Sequence, residues 1–555
     1  MKSTRRPIRR AALSALLVAA WVLGSSSGPS YAARQAPPDP MDEYRDKIQY
    51  LSGVPMLLMA EALGVTEIAG KPIDVAGSPP GRAKPKKLRD VGIGVHPTKH
   101  ENEPTVVTNP RDKKKLVAGS HFFGPPAPEG NRCVAYRSSD SGATWSAPFA
   151  LPQLTSTSFC SDPVLAYAPD GSRVYYAYMD IKFDFTPNSL TIDLDILVSF
   201  SDNNGATWTG PVVALDGEPT IIIFDPFSVT PGFEYDKPWI GTHVDQSQST
   251  WVYVTATRFD DFEPFDCHIA FARSDAKGVT SSWSSPTLLD SSSDGCGNPV
   301  VVQGSRPAGG RGGDVLVAWY NSGTDGWLTD SFQIRTRRSG NHGATWNSPV
   351  NAAVDSFEAP FFLGPDFFYH RWWGTMFPDV EIDPGGGAHI VYTHDPEADF
   401  SSPEDGDIRY ISSSGSPYNA WSSPVTVNDD GLERAQGYAA LETQYGGQAS
   451  ILHAIWEDHR LSPEVPTDFP NSSNLFYDMF YSRKVPGQGV GWMENFRVSD
   501  TSSINDFIFI GDYNDLTTND TLLFGVWTDR RHQTDIFAFE DNVFGSRIIA
   551  GGGTP

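Results

Sequence analysis

A short Ser-x-Asp-x-Gly-x-Thr-Trp segment returns along most of this chain, and nothing else in the sequence restricts the fold as strongly. It is most complete from Ser138 to Trp145. Ser201-Asp202-Asn203-Asn204-Gly205-Ala206-Thr207-Trp208 is a second copy, and Ser274 to Trp283 a third. Ser339-Gly340-Asn341-His342-Gly343-Ala344-Thr345-Trp346 is a fourth, without the Asp, and weaker relatives end at Trp421 and Trp492. Successive tryptophans lie 63 to 75 residues apart. That spacing suits one four-stranded sheet with variable loops, and self-similarity at such a period marks a repeat architecture.

Two further series keep the same phase. Apolar, β-rich segments run Leu116–Phe123, Val174–Asp180, Val252–Asp260, Val315–Asn321, His389–Asp395, Leu452–Asp458 and Leu523–Asp529. Most end in Asp or Asn, residues that begin turns through their own side chains. Each unit then opens on a marker: Glu103-Pro104, Asp162-Pro163, Lys237-Pro238, Asn298-Pro299 and Phe377-Pro378, with Tyr438-Ala439 and Gly511-Asp512 as degenerate members. Proline is tolerated at the first residue of a strand, where no ladder donor is needed. With 51 Gly, 44 Pro and few helical periodicities, the chain reads as all-β. The expectation is a single β-propeller of four-stranded blades, seven by this count, with six as the alternative. Asp90–His96 is expected to fasten the ring as an outer strand of the final sheet.

The repeat resembles the Asp-box (BNR) propellers of the sialidase superfamily over roughly residues 98–545. In that family the box is a hairpin turn between third and fourth strands at the blade periphery, and its Trp packs between sheets. The resemblance therefore speaks first to fold. For activity it implies an arginine triad, an Asp acid/base and a tyrosine nucleophile activated by Glu, an exception among glycosidases. The family's Arg-Ile-Pro segment has no counterpart in Val91-Gly92-Ile93-Gly94-Val95. Arg371, Arg434 and Arg460 are the candidates for binding a carboxylate, and Tyr438 or Tyr513 for the nucleophile.

The N-terminus carries an export signal: Arg5, Arg6, Arg9 and Arg10, an apolar Ala11–Gly24, and Ser30-Tyr31-Ala32, so cleavage is expected after Ala32. Residues 33–88 read as an arm and linker with a short helix near Met41–Leu63, and 89–555 as the propeller. Loss of residues 1–32 removes five positive charges and moves the formal charge from −25 to −30. A chain so acidic repels nucleic-acid phosphates and anionic membrane surfaces. The four cysteines form two similar pairs, one member before an Asp box and one before an opening proline. Disulfides Cys133–Cys160 and Cys267–Cys296 follow, as suits an exported chain, each adding roughly 3 kcal/mol in the chain-entropy model.

Opening residues of inner strands form one rim of a propeller's axial channel, where ligands meet it. They point to Asp236, Asp162, Asp512, Tyr513 and Tyr438 as catalytic candidates. Glu103, Lys237, Trp239, Asn298 and Arg434 join them as binding candidates, with Arg371, Trp372 and Trp373 from the aromatic run Phe367 to Trp373. Several carboxylates around one axis must be paired, hydrated or bound to a cation, so Ca²⁺ is conceivable although no cofactor is required. The same residues could instead cap strands, with Asp236 and Lys237 as an ion pair. Trp456-Glu457-Asp458-His459-Arg460 and Trp527-Thr528-Asp529-Arg530-Arg531 repeat one another and read as structural turns. Two functions fit: a secreted hydrolase of extracellular glycans, or a noncatalytic propeller that binds glycan or protein.

Overall fold

The computed structural model describes residues 86–549 apart from 88, 97–99, 124–130, 246–248, 261–265, 276–281, 291–299, 324–330, 357–376, 395–405, 433, 446–449, 463–475, 487–490, 505–509, 520–521 and 533–540. The expected signal segment and nearly all of the expected N-terminal arm lie outside these residues. Among those described there is no α-helix, and no helix long and apolar enough to cross a membrane.

The fold is a seven-bladed β-propeller. Blade one runs His100–Thr108, Leu116–Phe123, Arg132–Ser138 and Phe149–Ala150, and the sheets that follow repeat this antiparallel order. Their first strands are Phe159–Tyr167, Phe233–Val244, Val302–Gly309, Asp379–Ile382, Gln436–Tyr445 and Asp515–Thr518. Each first strand touches the first strands of its neighbours, blade seven against blade one included, so these strands surround the axis. The last sheet takes its outer strands from the N-terminal side: Val91–Gly94 and Lys86–Lys87 both pair with Asn542–Ile549. Asp90 clips this closure, accepting from Arg531 Nη2 at 2.8 Å and from the Asp500 amide at 2.6 Å. The expected fastening strand is therefore present, and seven blades replace the six-blade alternative.

Apolar faces are buried between neighbouring blades, one core layer per interface. Val117 of blade one packs with Tyr176 and Leu197 of blade two, and Phe524 of blade seven with Val106 and Tyr136 of blade one. Blade two departs from the pattern. Its middle strands lengthen to Val174–Thr186 and Ser189–Ser201, and a hairpin of Thr220–Phe224 and Phe227–Thr230 extends the sheet to six strands.

The repeated Ser-x-Asp-x-Gly-x-Thr-Trp turns explain their own sequence. In blade one, Ser138 Oγ accepts from the Gly142 amide at 2.9 Å, and Asp140 Oδ1 accepts from the Thr144 amide at 2.9 Å. Blades two and four repeat this geometry with Asn203 and Asn341, whose carboxamide oxygens accept the same bond at 2.9 Å. Asp202 is thus not the box acid of its repeat; it pairs with Arg173 instead. Trp346 and Trp492 pack edge-on against the preceding blade, on Phe271 at 4.8 Å and on Tyr410 at 5.4 Å.

The opening prolines do not begin their strands, as the sequence suggested. Pro104, Pro163 and Pro238 lie inside the first strands, where the register slips between Asn102 and Thr105, Ser161 and Val164, and Asp236 and Trp239. Two residues face one at each slip, a β-bulge, so the missing proline N–H costs the ladder nothing. Blade four bulges at Gly304-Ser305, between Gln303 and Arg306; Asn298-Pro299, expected to open this blade, lie outside the described residues. Cys133 and Cys160 are bonded, with Cα atoms 5.5 Å apart. Cys267 is also disulfide-bonded, and Cys296, the remaining cysteine of the sequence, lies outside the described residues.

Gly343 has φ of +79°, and a Cβ there would sit 2.4 Å from the Phe271 ring of the neighbouring blade. Gly343→Ala is expected to destabilise the fold by about 1–3 kcal/mol through the left-handed backbone and overpacking. The urea midpoint of the variant measures it.

Candidate functional site

The bulges aim side chains at the axis. Glu103, Asp162, Lys237 and Tyr438 hold φ between 51° and 58°, a left-handed conformation unusual for residues with a Cβ. Lys237, in blade three, reaches three other blades. Its Nζ lies 2.8 Å from Asp162 Oδ1 of blade two, 2.5 Å from Asp512 Oδ2 of blade seven and 3.6 Å from Glu103 Oε1 of blade one. The four residues are 0–4 % exposed. The carboxylates converge on a point that the ammonium already occupies.

Aromatic groups enclose the cluster. The ammonium stands 5.0 Å from the Tyr513 ring centroid, and the Tyr513 hydroxyl donates to the Pro163 carbonyl at 2.7 Å. Trp239 meets Tyr513 edge-on at 5.2 Å, and the Arg306 guanidinium lies 3.6 Å over Trp239. Arg306 pairs with Asp379 at 2.7 Å, and Asp379 accepts from the Leu441 amide at 2.7 Å. Asp515 accepts from Thr105 Oγ1 at 2.9 Å and the Val106 amide at 2.8 Å. Polar contacts thus run around the axis through all seven blades.

Six sequence candidates meet here: Glu103, Asp162, Lys237, Trp239, Asp512 and Tyr513. Asp236 is not the ion-pair partner of Lys237; its Oδ2 accepts from Gln303 Nε2 at 2.9 Å. Tyr438 occupies the matching bulge of blade six, and half-buried Arg434 precedes that strand. Asn298, Arg371, Trp372 and Trp373 lie outside the described residues. Arg460 is committed elsewhere, held by Asp458 at 2.7 Å and Asp429 at 2.8 Å. Arg531 repeats the arrangement with Asp529 at 2.7 Å, so both segments are the structural turns their repetition suggested. Tyr136 donates to Glu101, and both are at most 2 % exposed between strands of blade one.

Sequence reading missed a second group of acids along the axis. Glu381, Glu442 and Asp515 sit on the first strands of blades five, six and seven, half-open to solvent yet enclosed by protein. Burial, reinforced by their mutual repulsion, raises the pKa of Glu381 and Glu442. Glu457, accepting from Asn514 Nδ2 at 3.2 Å, is pushed up to about 8 by burial. Its sole sequence signal was the turn motif containing it. On blade two, Asp180 faces Asp195 directly across the sheet, and burial raises them to about 6 and 7. The Asp193-Leu194-Asp195 alternation was the visible sign of that pair.

The two ends of the propeller differ. Turns between first and second strands are short, as from Thr108 to Leu116 or Gly309 to Val315. Connections at the face where the first strands begin are longer: Asp458 to Phe476, His394 to Asp407, Asp529 to Asn542 and Ser356 to Asp379, the last containing the aromatic run. Loops placed on a rigid scaffold carry function disproportionately, and the axial cluster lies at this same face.

Removing the ammonium leaves three buried carboxylates facing one another. Lys237→Met is expected to cost about 3–5 kcal/mol, read from chemical unfolding. Glu457 stays protonated in the fold while its unfolded counterpart ionises, so stability falls as pH rises from about 4.5 through about 8. Glu457→Gln should flatten that decline in urea midpoints compared at about pH 5 and about pH 8.

No family model matches the chain, and no curated protein matches it. Similar solved structures include a protein of unknown function from Dyadobacter fermentans, 13% identical over 84% of this chain and 98% of that one, with a TM-score of 0.43. The alpha-L-arabinanase of Penicillium chrysogenum, complexed with arabinobiose, is 13% identical over 68% and 94%, TM-score 0.38. The endosialidase of phage phi92 is 10% identical over 85% and 72%, TM-score 0.40. Likenesses this remote carry no conclusion about reaction or substrate, and the propeller rests on its own strand order.

Proposed function

We propose that this chain is an exported, sialidase-like propeller that hydrolyses extracellular glycans at the face bearing its long connections. The supporting observation is the set of left-handed backbones at Glu103, Asp162, Lys237 and Tyr438. Each costs roughly 1–2 kcal/mol; among the described residues four of the nine left-handed non-glycine positions surround the axis, and such strain is found at functional sites. Here it gathers acid, base and aromatic groups on the axis.

In this reading Asp162 and Asp512 are the catalytic carboxylates, and Lys237 fixes their separation. Tyr513 and Tyr438 are the hydroxyl groups available to the reaction. Trp239, Glu103 and Arg434 are the binding groups near the axis, and Asn298, Arg371, Trp372 and Trp373, outside the described residues, are proposed as binding groups on their sequence alone. A second reading, glycan binding without turnover, is favoured by the near-complete burial of Lys237 and its three partners.

The test is hydrolysis of a fluorogenic sialoside, then an arabinoside, by the purified chain from Ala33 onward. Turnover should fall by about 10²–10⁴ in Asp162→Asn and Asp512→Asn with a cooperative melting transition retained. Asp236→Asn, whose side chain faces Gln303, should lose far less. Unchanged turnover in the first two variants removes those acids from the reaction. Retention on a glycan array with no turnover on either substrate replaces hydrolysis by binding.

A further inference from the structure

Away from the axis, blade three carries a second cluster of metal-ligating groups. Asp260 ends its second strand and Asp266 lies just before its third, while His268 is the second residue of that third strand. One ligand atom from each lies within 4.8 Å of the other two. Donors bound to one ion at 2.0–2.2 Å are separated by at most about 4.4 Å, so a small inward movement of the two carboxylates completes the site.

Two features set this group apart from a chance gathering of surface acids. His268 is 9 % exposed, and its Nδ1 faces the Asp290 carboxylate. Asp290 Oδ2 stands 3.6 Å from that nitrogen, and Asp290 is itself anchored by the Ile269 amide at 2.9 Å. A carboxylate behind the distal nitrogen of an imidazole is the usual support of a metal-binding histidine. The base is also rigid. The Asp260 amide donates to the Asp266 carbonyl at 2.8 Å, and the neighbouring Cys267 is disulfide-bonded. Arg258 Nε donates to Asp260 Oδ1 at 2.8 Å while lying 3.7 Å over Phe233, which orients the carboxylate and leaves Oδ2 to a ligand.

We propose that Asp260, Asp266 and His268 form a site for a divalent cation of the Zn²⁺ type. With Nδ1 turned to Asp290, Nε2 is the coordinating nitrogen. An imidazole with two carboxylates suits Zn²⁺ or Mn²⁺, whereas Ca²⁺ prefers oxygen ligands throughout. Three protein donors leave at least one coordination position open. Asp260 pairs with Phe233 at the start of the first strand, which puts the ion on the same face as the axial cluster, and the open position can take an oxygen of a bound ligand. This inference is independent of the reaction proposed above.

Calorimetric titration of Zn²⁺ into the untagged, chelator-treated chain from Ala33 onward tests it. The expected result is one ion per chain, with millimolar Ca²⁺ failing to compete. His268→Ala and Asp266→Asn should each weaken binding at least about tenfold, and Asp290→Asn by on the order of 10–100-fold. Asp266 is half-buried beside a loop, so Asp266→Asn is informative even if His268→Ala does not fold. Absence of Zn²⁺ binding overturns the site, and so does binding that Asp266→Asn leaves unchanged.

Discussion

One ammonium group holds this propeller together at its centre. Lys237 enters from blade three and meets carboxylates from blades two, seven and one, with at most 4 % of any of these residues exposed. Taking four charges out of water is unfavourable unless each is paired in good geometry. The arrangement is therefore stable only when all four blades stand in register. Apolar layers between blades are less demanding, because faces lined by Val, Leu and Tyr tolerate small slides. The ion cluster supplies the positional specificity that those layers lack, and it ties blade seven to blade one across the seam where the N-terminal strand closes the ring.

The backbone device behind the cluster is repeated, and its chemistry is not. Five first strands share the bulge, whose left-handed position is occupied by Glu103, Asp162, Lys237, Gly304 and Tyr438. At Gly304 a Cβ would fall 2.2 Å from the Phe377 ring of blade five, which fills the space a side chain would need. A repeated fold thus offers equivalent inward-facing positions, and the residues placed there differ from blade to blade. Arg306 and Asp379 extend the same logic one step along the strands.

The faces of the ring are unequal in the same sense. Short turns and the Ser-x-Asp-x-Gly-x-Thr-Trp hairpins occupy one end, where local hydrogen bonds close each hairpin. The other end carries the longer connections, the axial cluster, the Asp180–Asp195 pair and the three prospective metal ligands of blade three. Acidic groups dominate it, in keeping with a strongly negative chain. A neutral or cationic ligand, or one carrying its own cation, fits that surface better than a bare polyanion.

The sequence by itself determined whatever depends on neighbouring residues. The repeated turn is a set of bonds between positions two and four apart, so its presence, its register and the tolerance of Asn at Asn203 and Asn341 are written locally. Strand alternation, the count of seven blades and the Cys133–Cys160 pairing followed from the same short-range periodicity. The tertiary structure alone decided which charges meet. Lys237 binds Asp162 and Asp512, 75 and 275 residues away, and not adjacent Asp236. Bulge geometry and ring closure choose those partners, and neither is encoded in any one segment. For the same reason the bulge at Gly304 and the places of Arg306, Asp379 and Glu442 on the axis had no local sign in the sequence.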